Sequence, residues 1–225
     1  MPSGSLIPCR LLVLALLAGC GSVHEPAVAL QPMQVDDLAA GVYSVASGAA
    51  DARRAGHYYA GADGSRLLVL DKFTGQVDAL YRRQGGGAWR AVPAVAGNVP
   101  VTLSRRVALP ISTAGLASLA GDYVMQEPTG VVGHFTVRPD GQIVARAGAC
   151  KLSGHLAAGT LPNTFQLILQ TRACGALPAS SAGVLVLIDD DTPARFRLIA
   201  DNGRQLVDLW AFADQALATG DSHRY

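Results

Sequence analysis

Few side chains in this 225-residue sequence fall into patterns that do chemistry, and each pattern lacks a part its chemistry would need. Ala179-Ser180-Ser181-Ala182-Gly183 has the outline of a nucleophile elbow, whose serine would attack an acyl carbon. That elbow requires a strand before the serine and a helix after it, so that the hydroxyl stands beside an oxyanion hole. Here a loop precedes the strand-like run Val184–Leu187, and Ser181 is given no catalytic role. His57 and His134 each stand one residue before an aromatic, Tyr58 and Phe135. Successive strand residues face opposite ways, so inward aromatics place both imidazoles outside, as solvent-facing strand starts. No His-x-His or Glu-x-x-His spacing joins them into a metal site. Asp189-Asp190-Asp191 lacks the alternating acids, glycine and distal glutamate of an EF-hand-type calcium loop, and reads as a solvated turn. The strongest surface pattern is Arg82-Arg83-Gln84-Gly85-Gly86-Gly87-Ala88-Trp89-Arg90. Strand-like segments flank its glycines, which argues against a phosphate loop opening a helix. A hairpin tip carrying Arg82, Arg83, Trp89 and Arg90 suits an anionic partner, either lipid headgroups or an acidic protein. The competing reading is an ordinary hairpin whose tryptophan packs in the core. No convergent acid, base and nucleophile are visible, so the chain reads as a non-enzyme with no cofactor and no metal.

Charge and composition narrow the partners. The formal net charge is +1, which provides no field for nonspecific nucleic-acid binding. Half the residues are apolar and only 16% are charged, which excludes disorder over most of the length. The charges are unevenly spread: residues 41–110 hold nine basic and four acidic side chains, residues 119–225 eight and ten. An asymmetry of that kind can orient a molecule or select a partner.

The N-terminus gives an address. Arg10 precedes eight apolar residues, Leu11–Ala18, a run too short to span a bilayer core of about 30 Å but suited to an export signal. It ends in Leu17-Ala18-Gly19-Cys20, which resembles the lipobox of bacterial lipoproteins. The resemblance implies cleavage before Cys20, acylation of that cysteine, and a stable anchor once two or more chains are attached. Gly21 after the cysteine implies, by the same analogy, the outer membrane of a Gram-negative envelope. No later stretch approaches the length of a transmembrane helix. With Cys9 removed and Cys20 lipidated, Cys150 and Cys174 remain in an oxidising compartment and are expected to form a disulfide. A Cys150-His155-Cys174 metal site is the alternative, without an evident fourth ligand.

The elements that position these residues read as strands. Residues 21–34 hold two prolines and no periodicity, as a tether would. From Gly41 onward, short apolar runs alternate with Gly, Asp, Asn and Pro, the spacing of an all-β protein. Thr164–Gln170 and Ala194–Ala200 alternate with period two, which puts Phe165, Leu167 and Leu169, and Phe196, Leu198 and Ala200, on buried faces. Arg195 and Arg197 then fall on a wet face. Asp63-Gly64 and Asp140-Gly141 are hairpin turns, because Asp-Gly tolerates the positive φ such turns require. A helical turn fits only Ser112–Leu119 and the last dozen residues. Gly56-His57-Tyr58 through Asp63-Gly64 recurs 77 residues later as Gly133-His134-Phe135 through Asp140-Gly141. Upstream, Leu38 to Tyr43 recurs as Leu119 to Tyr123, with the tyrosines 80 apart. Two related modules follow from this repeat.

The second module, with Gly121-Asp122-Tyr123, Cys150-Lys151-Leu152-Ser153-Gly154 and Cys174, resembles a group of uncharacterised proteobacterial lipoproteins. That resemblance implies a β-barrel or sandwich with a disulfide, and no activity. The expected organisation is a signal peptide at 1–19, the lipidated cysteine and tether at 20–37, and antiparallel β modules at 38–118 and 119–225, small barrels or sandwiches that could share one sheet. The expected function is binding at the envelope, as an adaptor, assembly factor or inhibitor. The alternative is a lipocalin-like carrier whose barrel keeps inward positions small around an apolar ligand.

Overall fold

The computed structural model describes residues 33–48, 53–92, 94, 100–126, 132–188 and 193–214. The fold is all-β, with two separate antiparallel sheets. Strands β1 (Gly41–Ser47), β2 (Arg54–Ala60), β3 (Arg66–Asp71), β4 (Val77–Arg83), β5 (Arg90–Val92) and β6 (Leu103–Leu109) form an open sheet in the order β5-β4-β3-β2-β1-β6. A 3₁₀ turn at Leu116–Leu119 leads into β7 (Gly121–Gln126), β8 (Val132–Val137), β9 (Gln142–Ala145), β10 (Lys151–Ala158), β11 (Thr164–Arg172), β12 (Ser180–Leu187), β13 (Ala194–Asp201) and β14 (Leu206–Ala213). These eight close into a barrel when β14 pairs with β7.

The repeat is structural. Gly41 and Gly121 share an unusual backbone, with φ of 154° and 158°, which glycine adopts without a Cβ penalty. Two residues later each tyrosine turns back, and its hydroxyl donates to the carbonyl four residues upstream: Tyr43 to Ala39 at 3.1 Å and Tyr123 to Leu119 at 3.0 Å. Tyr43 then pairs across the ladder with Tyr58, and Tyr123 with Phe135. The next hairpins turn at Gly64 and Gly141, with φ of 85° and 86°. In each, the preceding aspartate (Asp63 or Asp140) accepts the amide two residues on.

Large side chains fill the barrel: Tyr123, Phe135, Phe196, Leu156, Leu167 and Leu198 lie in its buried core. An eight-stranded barrel is just wide enough for side chains to fill, and this one is filled, unlike the small-residue interior of a carrier. The Cys150–Cys174 disulfide is present at the edge of that core, ties the start of β10 to the loop after β11, and closes a loop of 24-residue separation. The alternative metal set is excluded, because the two sulfurs are bonded to each other and His155 is exposed on the outer face of β10.

The central strands of the open sheet, β2–β4, are buried on both faces, while β6 is largely exposed. The barrel-side face, with Tyr59, Leu67, Val69 and Leu80, packs on the outside of the barrel at Val186 and Ile199. The far face, equivalent through the repeat to the barrel interior, gathers Tyr58, Leu68, Leu70 and Tyr81 with Val35, Val101 and Leu103. Residues 33–37, expected to end a flexible tether, are instead packed into this cluster: Val35 makes a parallel bridge to Val101. Polar groups pin the crossover between the sheets. Asn163, at φ 58°, accepts the Ser112 amide at 2.7 Å and donates to the Pro110 carbonyl at 3.0 Å.

Candidate functional site

Alternation along β4 separates two neighbours that sequence grouped together. Arg82 lies on the barrel-side face and reaches the barrel, where it pairs with Asp201 at 2.6 Å. Arg83 lies on the far face, 5.3 Å from the Trp89 ring, which packs against the core of that face. Arg90 stands opposite Arg82 in the β4–β5 ladder and is exposed. Gly85-Gly86-Gly87 do form the hairpin tip, yet the four expected partner-binding residues do not share one surface.

Instead, Arg83 belongs to a cluster the sequence did not suggest. Arg66 on β3 and Arg83 on β4 are directly opposed in the ladder. Like charges in that position repel. The carboxylate of Asp37 resolves the repulsion: Oδ1 accepts from Arg66 Nε and Oδ2 from Arg83 Nη2, both at 2.7 Å. The two arginine side chains are only 11% and 16% exposed, whereas Asp37 is 50% exposed. Burial raises the Asp37 pKa, but the hydrogen bonds and charges of Arg83 and Arg66 outweigh it and leave it below the usual carboxylate value. Burial, with the nearby Asp37 charge, pushes the Tyr58 hydroxyl the other way. Asp36 faces the opposite direction and accepts from Arg106 at 2.8 Å and from the Leu103 amide at 2.9 Å. An open cleft of about 380 Å³ runs along this segment, lined by Met33, Val35, Arg83, Trp89, Pro100 and Val101.

A second charged cluster holds the seam between sheet and barrel. Arg197 grips Asp208 with two bonds at 2.6 and 2.7 Å, donates to the Gly75 carbonyl, and lies 2.9 Å from Asp71. It also stacks over Trp210 at 4.7 Å. Asp208 accepts the Val77 amide at 2.7 Å, so a barrel carboxylate caps a sheet strand. Arg197 was expected on a wet face; it does face outward from the barrel, but the open sheet covers it and its side chain is 7% exposed. Burial opposes its charge, yet the hydrogen bond and charge of Asp208, with Asp71, raise its pKa further. Asp71 goes up because burial exceeds the help of Arg197. Beside this cluster a cleft of about 260 Å³ is lined by His57, Tyr59, Leu109, Val186, Ile199 and Trp210. His57 therefore faces the seam and not open solvent. His134 lies outside the barrel, 3.7 Å from Asp214, as its parity implies.

Ser181 lies within β12 and not in a loop before it, and the strand continues to Leu187 with no helix following. It is buried, and its hydroxyl has no partner among the described residues. Among the described residues no group of three or more His, Cys, Asp or Glu could hold a metal ion. Cys20 with the lipobox, residues 189–192 and most of the C-terminal segment lie outside the described residues. Comparison with family models, curated proteins and solved structures finds no match to this chain.

Proposed function

We propose that this is a lipid-anchored protein of the bacterial cell envelope that works by binding, as an adaptor, assembly factor or inhibitor, and not by catalysis. Leu17-Ala18-Gly19-Cys20 supports the anchor, and Gly21 after the cysteine supports the outer membrane as its address. One observation carries the binding reading: two opposed, nearly buried arginines, Arg66 and Arg83, converge on the single carboxylate of Asp37, and Arg83 with Trp89 also lines an open cleft. Guanidinium pairs flanked by an aromatic recognise carboxylates through directed hydrogen bonds and stacking.

Two measurements test the reading. With labelled palmitate, the wild-type chain should carry label and sediment with membranes, and Cys20→Ser should lose both. A photo-crosslinking side chain at Trp89 should yield one discrete protein adduct in cells, lost in Arg83→Ala. A folded protein that gives no adduct would overturn the binding reading. The carrier alternative rests on a different place from the one expected, the apolar seam cleft lined by Tyr59, Val186, Ile199 and Trp210. Native mass spectrometry separates the two: a mass excess that vanishes on denaturation favours the carrier.

A further inference from the structure

The segment Met33–Leu38 sits on the open sheet more as a ligand sits than as a strand does. It contributes one parallel bridge, with the Val101 amide donating to Gln34 O at 2.8 Å and the Asp36 amide to Val101 O at 3.3 Å. Its remaining hold comes from side chains. Val35 is buried among Tyr58, Val101 and Leu103, and Leu38 packs against the same cluster. The adjacent aspartates point opposite ways, Asp36 to Arg106 and Asp37 to Arg66 and Arg83.

The barrel shows that the shared plan does not need such a segment. There the equivalent interior is filled by the barrel's own strands, with Phe135 and Phe196 fully buried beside Tyr123. The open module, with six strands and a three-residue β5, leaves its far face for something else to cover. Without the segment, Arg66 and Arg83 would face each other across the ladder with no anion between them.

We infer that residues 33–38 act as a built-in pseudo-ligand on a peptide-binding face, and that the outside partner is an extended peptide with an apolar–acidic–acidic–apolar sequence. This rests on the proposed binding function and names its ligand class. The spacing of the contacts selects a peptide over a lone anion. Arg106 and the Arg66–Arg83 pair are read by successive residues pointing apart, while the main chain between them bonds to Val101. A phosphate fills only one of these positions. The resident segment competes at the high effective concentration of an intramolecular ligand, so the measured affinity for a partner is the intrinsic one reduced by the fraction of open molecules.

The test uses the full chain in mild non-ionic detergent and a capped fluorescent peptide, MQVDDL, followed by anisotropy. The variant Asp36→Asn/Asp37→Asn weakens the resident segment and should bind this peptide at least tenfold more tightly than wild type. A control peptide, MQVNNL, should bind neither. A folded double variant that binds MQVDDL no more tightly than wild type overturns the inference. A second variant, Val35→Cys/Val101→Cys, places thiols at the bridged pair to lock the segment down. Oxidised, it should lose peptide binding; mild reduction should restore it, since the native cysteines are 1% and 3% exposed and resist reduction. Equal binding by locked and unlocked forms overturns the inference even if the aspartate variant fails to fold. So does binding of the double variant to anionic vesicles that excess MQVDDL does not displace, which would make the site a headgroup site. If these tests fail while the Trp89 adduct persists, the pseudo-ligand is wrong and the binding function stands.

Discussion

In both halves of the molecule a glycine near φ 155° is followed by a tyrosine that turns back on its own chain, and an Asp-Gly turn closes the next hairpin. Beyond that point the halves diverge. The barrel runs on through long strands, up to nine residues in β11, until β14 meets β7, and its interior is sealed by its own side chains. The sheet dwindles to the three-residue β5 and stays open. A closed barrel has no edges and one inside; an open sheet has two faces to cover. This one borrows the barrel's outer wall for one face and residues 33–38 for the other. The barrel is thus self-sufficient and the sheet dependent, and the difference concentrates binding potential in the sheet.

That contrast is open to direct attack. The largest effect is expected from Arg197→Ala, which strands the partly buried carboxylates Asp208 and Asp71 at the seam. Losing one partner of a buried ion network costs about 3–5 kcal/mol, measurable as a lower urea midpoint. Next comes Cys150→Ala/Cys174→Ala. On the chain-entropy model the crosslink contributes about 3.5 kcal/mol, so thermal melting should shift down strongly, with the barrel strands losing protection first. Smaller still are the two matched tyrosines. Tyr123→Phe removes a buried hydrogen bond and should cost about 1 kcal/mol, while Tyr43→Phe removes an exposed one and should cost less. Equal costs would mean that the two turns are equally built into their modules.

The smallest effect is in the pH dependence, and the two carboxylates should differ in sign. Asp37 has a depressed pKa in the fold, so its contribution is present above the unfolded value near 3.8 and fades as pH falls through the folded value. Asp71 has a raised pKa, so its contribution is present at low pH and is lost as pH rises from about 3.8 through the folded value. Denaturation series on Asp37→Asn and Asp71→Asn, compared with wild type across acid pH, should each remove one of these opposed slopes.

Much of the fold was legible because it is written locally. Asp-Gly turns, period-two alternation in β11 and β13, the repeated Leu-Ala-Gly/Tyr opening and two late cysteines each specify structure within a few residues. Closure was not legible, because it depends on strand number and register summed around a ring. The site was legible only in part. Arg83 and Trp89 do meet, but Arg82 and Arg83 are consecutive in a strand and must face opposite sides, a parity signal available in the sequence. Asp36 and Asp37 also point apart, but they lie outside any strand, so parity does not announce it. No local signal gives Arg66 opposite Arg83, or the burial of Arg197, since both follow from long-range pairing. Arg197 has the parity of a wet residue and is dry only because a second sheet lies over it.

Amide hydrogen exchange followed by mass spectrometry, on wild type and Arg197→Ala, tests the dependence of sheet on barrel most directly. In wild type, amides of β7–β14 should exchange most slowly, β2–β4 faster, and residues 35–38 fastest among the packed segments. In Arg197→Ala, β2–β4 should lose most of their protection while β7 and β8 stay close to wild type. Equal loss in both sheets, or none in β2–β4, would contradict the account, because the open sheet would then not be standing on the barrel's wall.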